Sequence, residues 1–174
     1  MHTYTRGFTI FFASLVAALA LAVGVAIYDI TVRELALSVI ETQSQEAIYA
    51  ADSGTECALY WDTKVSTSTN TTGSAFATSS TDTEIAKSGQ ALCNGQDIVA
   101  GSAPLSVPWS IVSNGSAATT TFEISLGKYQ SSPCVLVTVA KSGNPSATAI
   151  NAYGHNTCNP NDPNQLERQL QVTY

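Results

Sequence analysis

The first third of the chain carries hardly any alternation of apolar and polar positions. From Phe8 to Tyr28 there are 21 consecutive residues without a charge. At about 1.5 Å per residue such a run spans ~31 Å as a helix, close to the ~30 Å hydrocarbon core of a bilayer. Backbone amides in lipid must bond to one another, so an isolated span there is predicted to be helical. Arg6 lies before the run; Asp29, Arg33 and Glu34 lie after it. The cationic flank stays in the cytoplasm, which places everything downstream on the outer side. Beyond Asp29 the pattern changes without a break. No proline occurs before Pro104, and helix formers such as Glu34, Leu35, Ala36, Glu41, Gln45, Ala47, Ala50 and Ala58 recur up to Asp62. Ala36, Ile40, Ala47, Ala51, Gly54, Ala58 and Trp61 follow one another at steps of 4, 7, 4, 3, 4 and 3 residues, which is one helical face. The expectation is one helix over 8–62, on the order of 80 Å long, apolar all round at first and amphipathic afterwards. Its small residues Ala47, Ala51, Gly54 and Ala58 would let another element approach closely. Gly54 alone argues for a break between Asp29 and Asp62.

After the helix come two different textures. Twelve of the eighteen residues from Ser66 to Thr83 are Ser or Thr. Such a composition buries little and predicts a loop over 63–89. Asn70-Thr71-Thr72 within it is a glycosylation triplet as well as an ordinary loop sequence. From Gln90 the period falls to two. Pro108-Trp109-Ser110-Ile111-Val112 is a first strand leading into Ser113-Asn114-Gly115-Ser116, a hairpin turn. Thr119 to Leu126 alternates with Phe122, Ile124 and Leu126 on one face; Cys134 to Lys141 aligns Val135, Val137 and Val139. Ser142-Gly143-Asn144-Pro145 turns, Thr148 to Tyr153 forms a further strand, and Leu166 to Tyr174 forms the last. Five short strands over 90–174 predict an antiparallel sheet whose apolar face needs a cover, which the small-residue helix stripe can supply. The fold class is therefore α+β: a long N-terminal helix against a small antiparallel sheet.

Composition narrows the chemistry. The 174 residues include 7 basic and 13 acidic ones, a formal net charge of −6. After Thr63 there are five basic residues (Lys64, Lys87, Lys128, Lys141, Arg168) against six acidic ones (Asp82, Glu84, Asp97, Glu123, Asp162, Glu167). A nucleic-acid partner has no electrostatic support there. No nucleophile elbow, phosphate loop or HExxH motif occurs, so no catalytic residue and no cofactor is expected. His155 has no obvious catalytic partner in sequence and is expected in a loop. Asn159-Pro160-Asn161-Asp162-Pro163-Asn164 has one carboxylate, which suits a plain turn better than a calcium loop.

Four cysteines remain: Cys57, Cys93, Cys134 and Cys158, with gaps of 36, 41 and 24 residues. Zinc ligands usually come in close pairs, so no metal is expected. An even number outside the cytoplasm favours two disulfides, of which three pairings exist. Cys57–Cys93 would tie the helix end across the Ser/Thr-rich loop, and Cys134–Cys158 would clamp the loop before the last strand. Each would contribute roughly 2–4 kcal/mol.

The opening Arg6-Gly7-Phe8-Thr9-Ile10, leading into an apolar helix that turns amphipathic and then into a β-rich head, resembles the type IV pilin and pseudopilin family. Tyr49-Ala50-Ala51-Asp52-Ser53-Gly54-Thr55-Glu56 resembles the corresponding helix segment of PilX-type minor pilins. The resemblance implies a leader over 1–7, cleavage by a prepilin peptidase between Gly7 and Phe8, and methylation of the new Phe8 amine. It implies other pilin subunits and the membrane as partners, and a place in a surface filament once assembled. The family's glutamate at the fifth mature position is absent; Phe12 stands there. That departure suits a minor or tip subunit, which has no neighbour above it. The family's usual proline in the membrane half is absent too, leaving Gly24 as the weak point. Two other readings of the helix stand beside this one. A secretory signal would be cut after Ala18-Leu19-Ala20 or Ala20-Leu21-Ala22. A permanent single-pass anchor would tether an adhesin-like binding domain outside the cell.

Overall fold

The computed structural model describes residues 5–63, 74–80, 85–105, 107–142 and 147–174. The first four residues of the expected leader, the Asn70-Thr71-Thr72 triplet with most of the Ser/Thr-rich segment, and the Gly143-Asn144-Pro145 turn lie outside them. Helix α1 covers Thr5–Thr63 without interruption. Neither Gly24 nor Gly54 breaks it. The chain divides into two compact units, Met1–Thr42 and Gln43–Tyr174.

In the first unit every residue from Phe8 to Thr42 is exposed. Its polar side chains turn back onto the helix. The hydroxyl of Ser14 donates to the Phe11 carbonyl (2.8 Å), that of Thr31 to Ile27 (2.9 Å) and that of Thr42 to Ser38 (3.0 Å). Such i−3 and i−4 bonds hide a hydroxyl without a partner outside the helix, which is how such groups are tolerated beside lipid. Asp29 and Arg33 pair at 3.1 Å one turn apart.

In the second unit, the end of α1 lies on a five-stranded antiparallel meander, β3(Ser110–Asn114), β4(Ala117–Ser125), β5(Cys134–Ser142), β6(Ala147–His155) and β7(Glu167–Thr173), each strand pairing with the next. The expected hairpin forms one residue further on: Asn114 ends β3, and Gly115, at φ 59°, and Ser116 make the β3–β4 turn. An Asn-Gly turn proper, Asn94 (φ 50°) and Gly95 (φ 73°), joins two additional strands, β1(Leu92–Cys93) and β2(Gln96–Asp97).

Alternation decides the inner face: Phe122 and Ile124 from β4, Val135, Val137 and Val139 from β5, and Ile150 and Ala152 from β6 are all buried. Ala47, Ala50, Ala51, Gly54 and Ala58 of α1 are buried too. Within this unit the helix presents no side chain larger than a methyl at those positions, so its backbone comes down close to the sheet. A β-carbon on Gly154 would lie 2.0 Å from the Ala47 carbonyl oxygen and 2.4 Å from the Ala51 nitrogen. One on Gly54 would lie 2.8 Å from methyls of Val135 and Val137.

Of the helical stripe, Ala47, Ala51, Gly54 and Ala58, the small residues expected to admit another element, are buried, and Ala50, Thr55 and Asp62 join them; Ala36 and Ile40 are exposed. One expectation is corrected. The Ser/Thr-rich segment also contributes to the core. Ala75, Phe76 and Ala77 are buried, and the Phe76 ring stacks on Phe122 with centroids 5.8 Å apart. One large aromatic in the right place outweighs the polar average of its neighbourhood.

Gly154→Ala should cost about 1–3 kcal/mol of stability, because the helix backbone must lift away from the sheet. Gly24→Ala, which meets nothing within 4 Å, should leave the unfolding of the head unchanged. Urea unfolding of the full chain in detergent, followed by the tryptophans, distinguishes the two.

Candidate functional site

Three places carry the residues that the sequence singles out: the start of α1, its end, and the cysteine pair at one end of the sheet.

Gly7 lies within α1. Phe8 is 71% exposed and its ring stacks on Phe12, centroids 6.5 Å apart. Ile10, Phe11, Leu15, Val16 and Leu19 continue an exposed apolar surface around the helix. A helix this long and apolar is able to cross a membrane, as a single-pass protein would. Water is a poor solvent for such a surface, and lipid or other apolar helices are good ones. Phe12 adds apolar area and no charge.

The end of α1 has a polar anchor that no motif announces. Asp62 is in the last turn, where a carboxylate opposes the helix dipole and no basic residue of the helix offsets it. Strand β5 brings the compensating cation. Lys141 Nζ pairs with Asp62 Oδ1, and the two side chains are only 6% and 3% exposed. The Ser74 hydroxyl donates to the same oxygen and accepts from Lys141 Nζ at 3.0 Å. Tyr174 donates to Oδ2 at 2.5 Å, with the Thr148 hydroxyl at 3.4 Å. Burial pushes the Asp62 carboxyl up, but the bonds from Lys141, Ser74 and Tyr174 outweigh it and hold the carboxyl below its ordinary value. For Tyr174, burial and then the carboxylate it serves both push the phenol up. This anchor joins the helix end, the 74–77 segment, β5, β6 and Tyr174.

Beside it, Cys57 and Cys93 are joined as a disulfide, with Cα atoms 6.0 Å apart. The Trp61 indole donates to the Leu92 carbonyl at 3.1 Å and seats the β1–β2 hairpin on the helix. Cys134 and Cys158, expected as the second disulfide, are brought together, but as two free thiols, both buried. Each sulfur is the chief influence on the other, pushing Cys134 up and Cys158 down.

His155 closes β6 rather than lying in a loop, and its Nε2 meets Glu167 Oε2 at 2.9 Å across the β6–β7 pair. The 159–164 segment is a turn: Asn161 N bonds Asn159 Oδ1 at 3.1 Å and Asn164 N bonds Asp162 Oδ1 at 2.9 Å. Among the described residues no group of three or more His, Cys, Asp or Glu side chains is arranged to hold a metal ion.

Asp62→Ala should cost about 3–5 kcal/mol, because it leaves the Lys141 ammonium buried without its partner. The folded Asp62 carboxyl titrates below its unfolded value of about 3.9, so its stabilisation is fully present above that pH. It is lost as pH falls through the folded value. Urea midpoints measured from neutral pH down into this acid range should show that loss in the native chain and a smaller one in Asp62→Ala. No known family model, curated protein or solved structure matches this chain.

Proposed function

We propose that this chain is a pilin-like subunit, of the minor or tip kind, in a type IV pilus or a related secretion filament. The observation that carries the reading is the exposed, charge-free helix surface from Phe8 to Tyr28, in a helix that continues to Thr63. Its opening, Arg6-Gly7-Phe8-Thr9-Ile10, is the second support. The part played is structural rather than catalytic. The subunit waits in the bilayer with its N-terminus cytoplasmic and its head outside. A prepilin peptidase removes residues 1–7 and methylates the Phe8 amine. The helix then exchanges lipid for the apolar helices of other pilin subunits, which are equally apolar neighbours.

Phe12 sets the position in the filament. An amine buried in an apolar helix bundle without a counter-charge costs several kcal/mol unless it deprotonates. A chain with Phe12 gives no carboxylate to the amine of a subunit above it. It can still present its own Phe8 amine to a glutamate of the subunit below. A top position needs nothing more, and the subunit below must be a different pilin.

Intact-mass analysis of protein from its native membrane should find N-methyl-Phe8 as the first residue. An intact Met1 would favour the anchored adhesin-like domain, and a start near Ala20 or Ala22 would favour secretion. Purified filaments should contain this chain in small amounts, labelled at one end. Phe12→Glu supplies the missing carboxylate and should spread the label along the shaft. A native chain that already dominates the shaft would sink the tip position.

A further inference from the structure

We propose that Cys134 and Cys158 form a modification site for small disulfides, reached through the cleft in front of them, in which Cys158 attacks, Cys134 resolves, and Glu123 biases the site toward cationic reagents. The proposal is independent of filament assembly.

The geometry begins with two loops. Cys158 N donates to the Ser132 carbonyl at 3.0 Å, and the Thr157 hydroxyl donates to the Gln130 carbonyl at 3.1 Å. These bonds hold the segment after β6 against the segment before β5 and bring Cys158 beside Cys134, the first residue of β5. The two sulfurs border a cleft of about 470 Å³ with Pro104, Leu105, Glu123 and His155 among its walls. Its volume accommodates a small organic disulfide. The two residues are not equivalent in it: Cys158 as a whole is 8% exposed and Cys134 1%. The more exposed residue meets the reagent first. Cys158 Sγ also donates to Ser125 Oγ at 3.7 Å, which orients the sulfur, and the Cys134 sulfur beside it holds the Cys158 thiol below its ordinary value.

The chemistry is thiol–disulfide exchange. The Cys158 thiolate attacks one sulfur of RS–SR; the reagent's S–S bond breaks, a Cys158–S–SR bond forms, and RS⁻ leaves. Cys134 gives up its proton and attacks Cys158 Sγ; the bond to SR breaks and a second RS⁻ leaves. The protein loses two electrons and two protons, and the reagent gains them as two RSH. The product bridges β5 to the loop after β6.

Glu123 sets the charge preference. It is half-buried on the cleft wall. Burial pushes its carboxyl up and the nearby His155 opposes this. His155 in turn is engaged by Glu167. An ionised Glu123 repels an anionic reagent and the thiolate alike, and attracts a reagent carrying ammonium groups.

The test uses the full chain in detergent at mildly alkaline pH, mildly reduced so that peptide mapping finds Cys57–Cys93 still bridged. Cystamine and oxidised glutathione, one cationic and one anionic, are the probes, and acid-quenched intact mass is the readout. The native chain should pass through a transient mixed disulfide and end two hydrogens lighter. Cys134→Ser should stop at a stable mixed disulfide on Cys158, and Cys158→Ser should react about tenfold more slowly. Cystamine should outpace glutathione disulfide, and Glu123→Gln should shrink that ratio about threefold or more. A native chain that keeps both thiols free in excess cystamine overturns the proposal. So do equal rates for the two serine variants, or a cystamine preference unchanged in Glu123→Gln, which retains the side chain's shape.

Discussion

How near a helix backbone can come to a sheet governs everything in the Gln43–Tyr174 unit. At Gly154 the answer is contact: there is no room for a β-carbon between β6 and the backbone of Ala47 and Ala51. At Gly54 the valines of β5 fill the space a side chain would need. A helix seated this low supplies little volume to the core, so the sheet and the connecting segments must provide it. Val135, Val137, Val139 and Ile150 do so from the strands, and Phe76, Phe122 and Ile98 fill the rest. A close-packed interior tolerates few voids, and the core therefore recruits Phe76 from a segment that otherwise looks unfit for it. The Cys57–Cys93 bridge and the Trp61–Leu92 bond follow from the same seating, since both need the β1–β2 hairpin close to the end of the helix.

Close approach alone permits sliding along a surface of small residues. The Asp62 anchor opposes that. A buried ion pair contributes little net stability compared with an apolar replacement, but it heavily penalises any arrangement that separates its charges. Shifting the helix by one turn, about 5.4 Å, would strand both Asp62 and Lys141. Alanine contacts thus set the distance between helix and sheet, and one charge pair sets the register. This division of labour is economical in a chain with only 11% charged residues.

Features whose signal is local were readable from the chain. The absence of charge marks the apolar helix, the period of two marks β4 and β5, and small residues at helical spacing mark the face that meets them. Asn114-Gly115 is flanked by alternating runs and announces its hairpin. Asn94-Gly95 is the same dipeptide, but its strands are two residues each, too short to show a period. Phe76 is hidden by averaging over threonines and serines. Asp62 and Lys141 are 79 residues apart, and nothing local distinguishes either from a solvated surface charge. The order of elements favours Cys57 with Cys93 among three pairings without fixing it. That Cys134 and Cys158 share a cleft with Glu123 depends on how two loops fold over the end of the sheet, and spacing carries no information about that.

The anchor also has a consequence for the order in which the molecule is made. Tyr174 reaches a carboxylate 112 residues upstream of it, and β7, the last strand of the meander, is synthesised after everything it braces. A growing chain emerges with its apolar helix first, when neither the sheet that covers Ala47 to Ala58 nor the ammonium that neutralises Asp62 exists. Contacts this distant in sequence form late and slowly. Until they form, the second half of the helix has an uncovered face and the unpaired valine strands are exposed to other chains. Holding the first half of the helix in a bilayer during that interval would keep each nascent head apart from its neighbours, so the segment that makes the protein hardest to dissolve would also give its head time to fold.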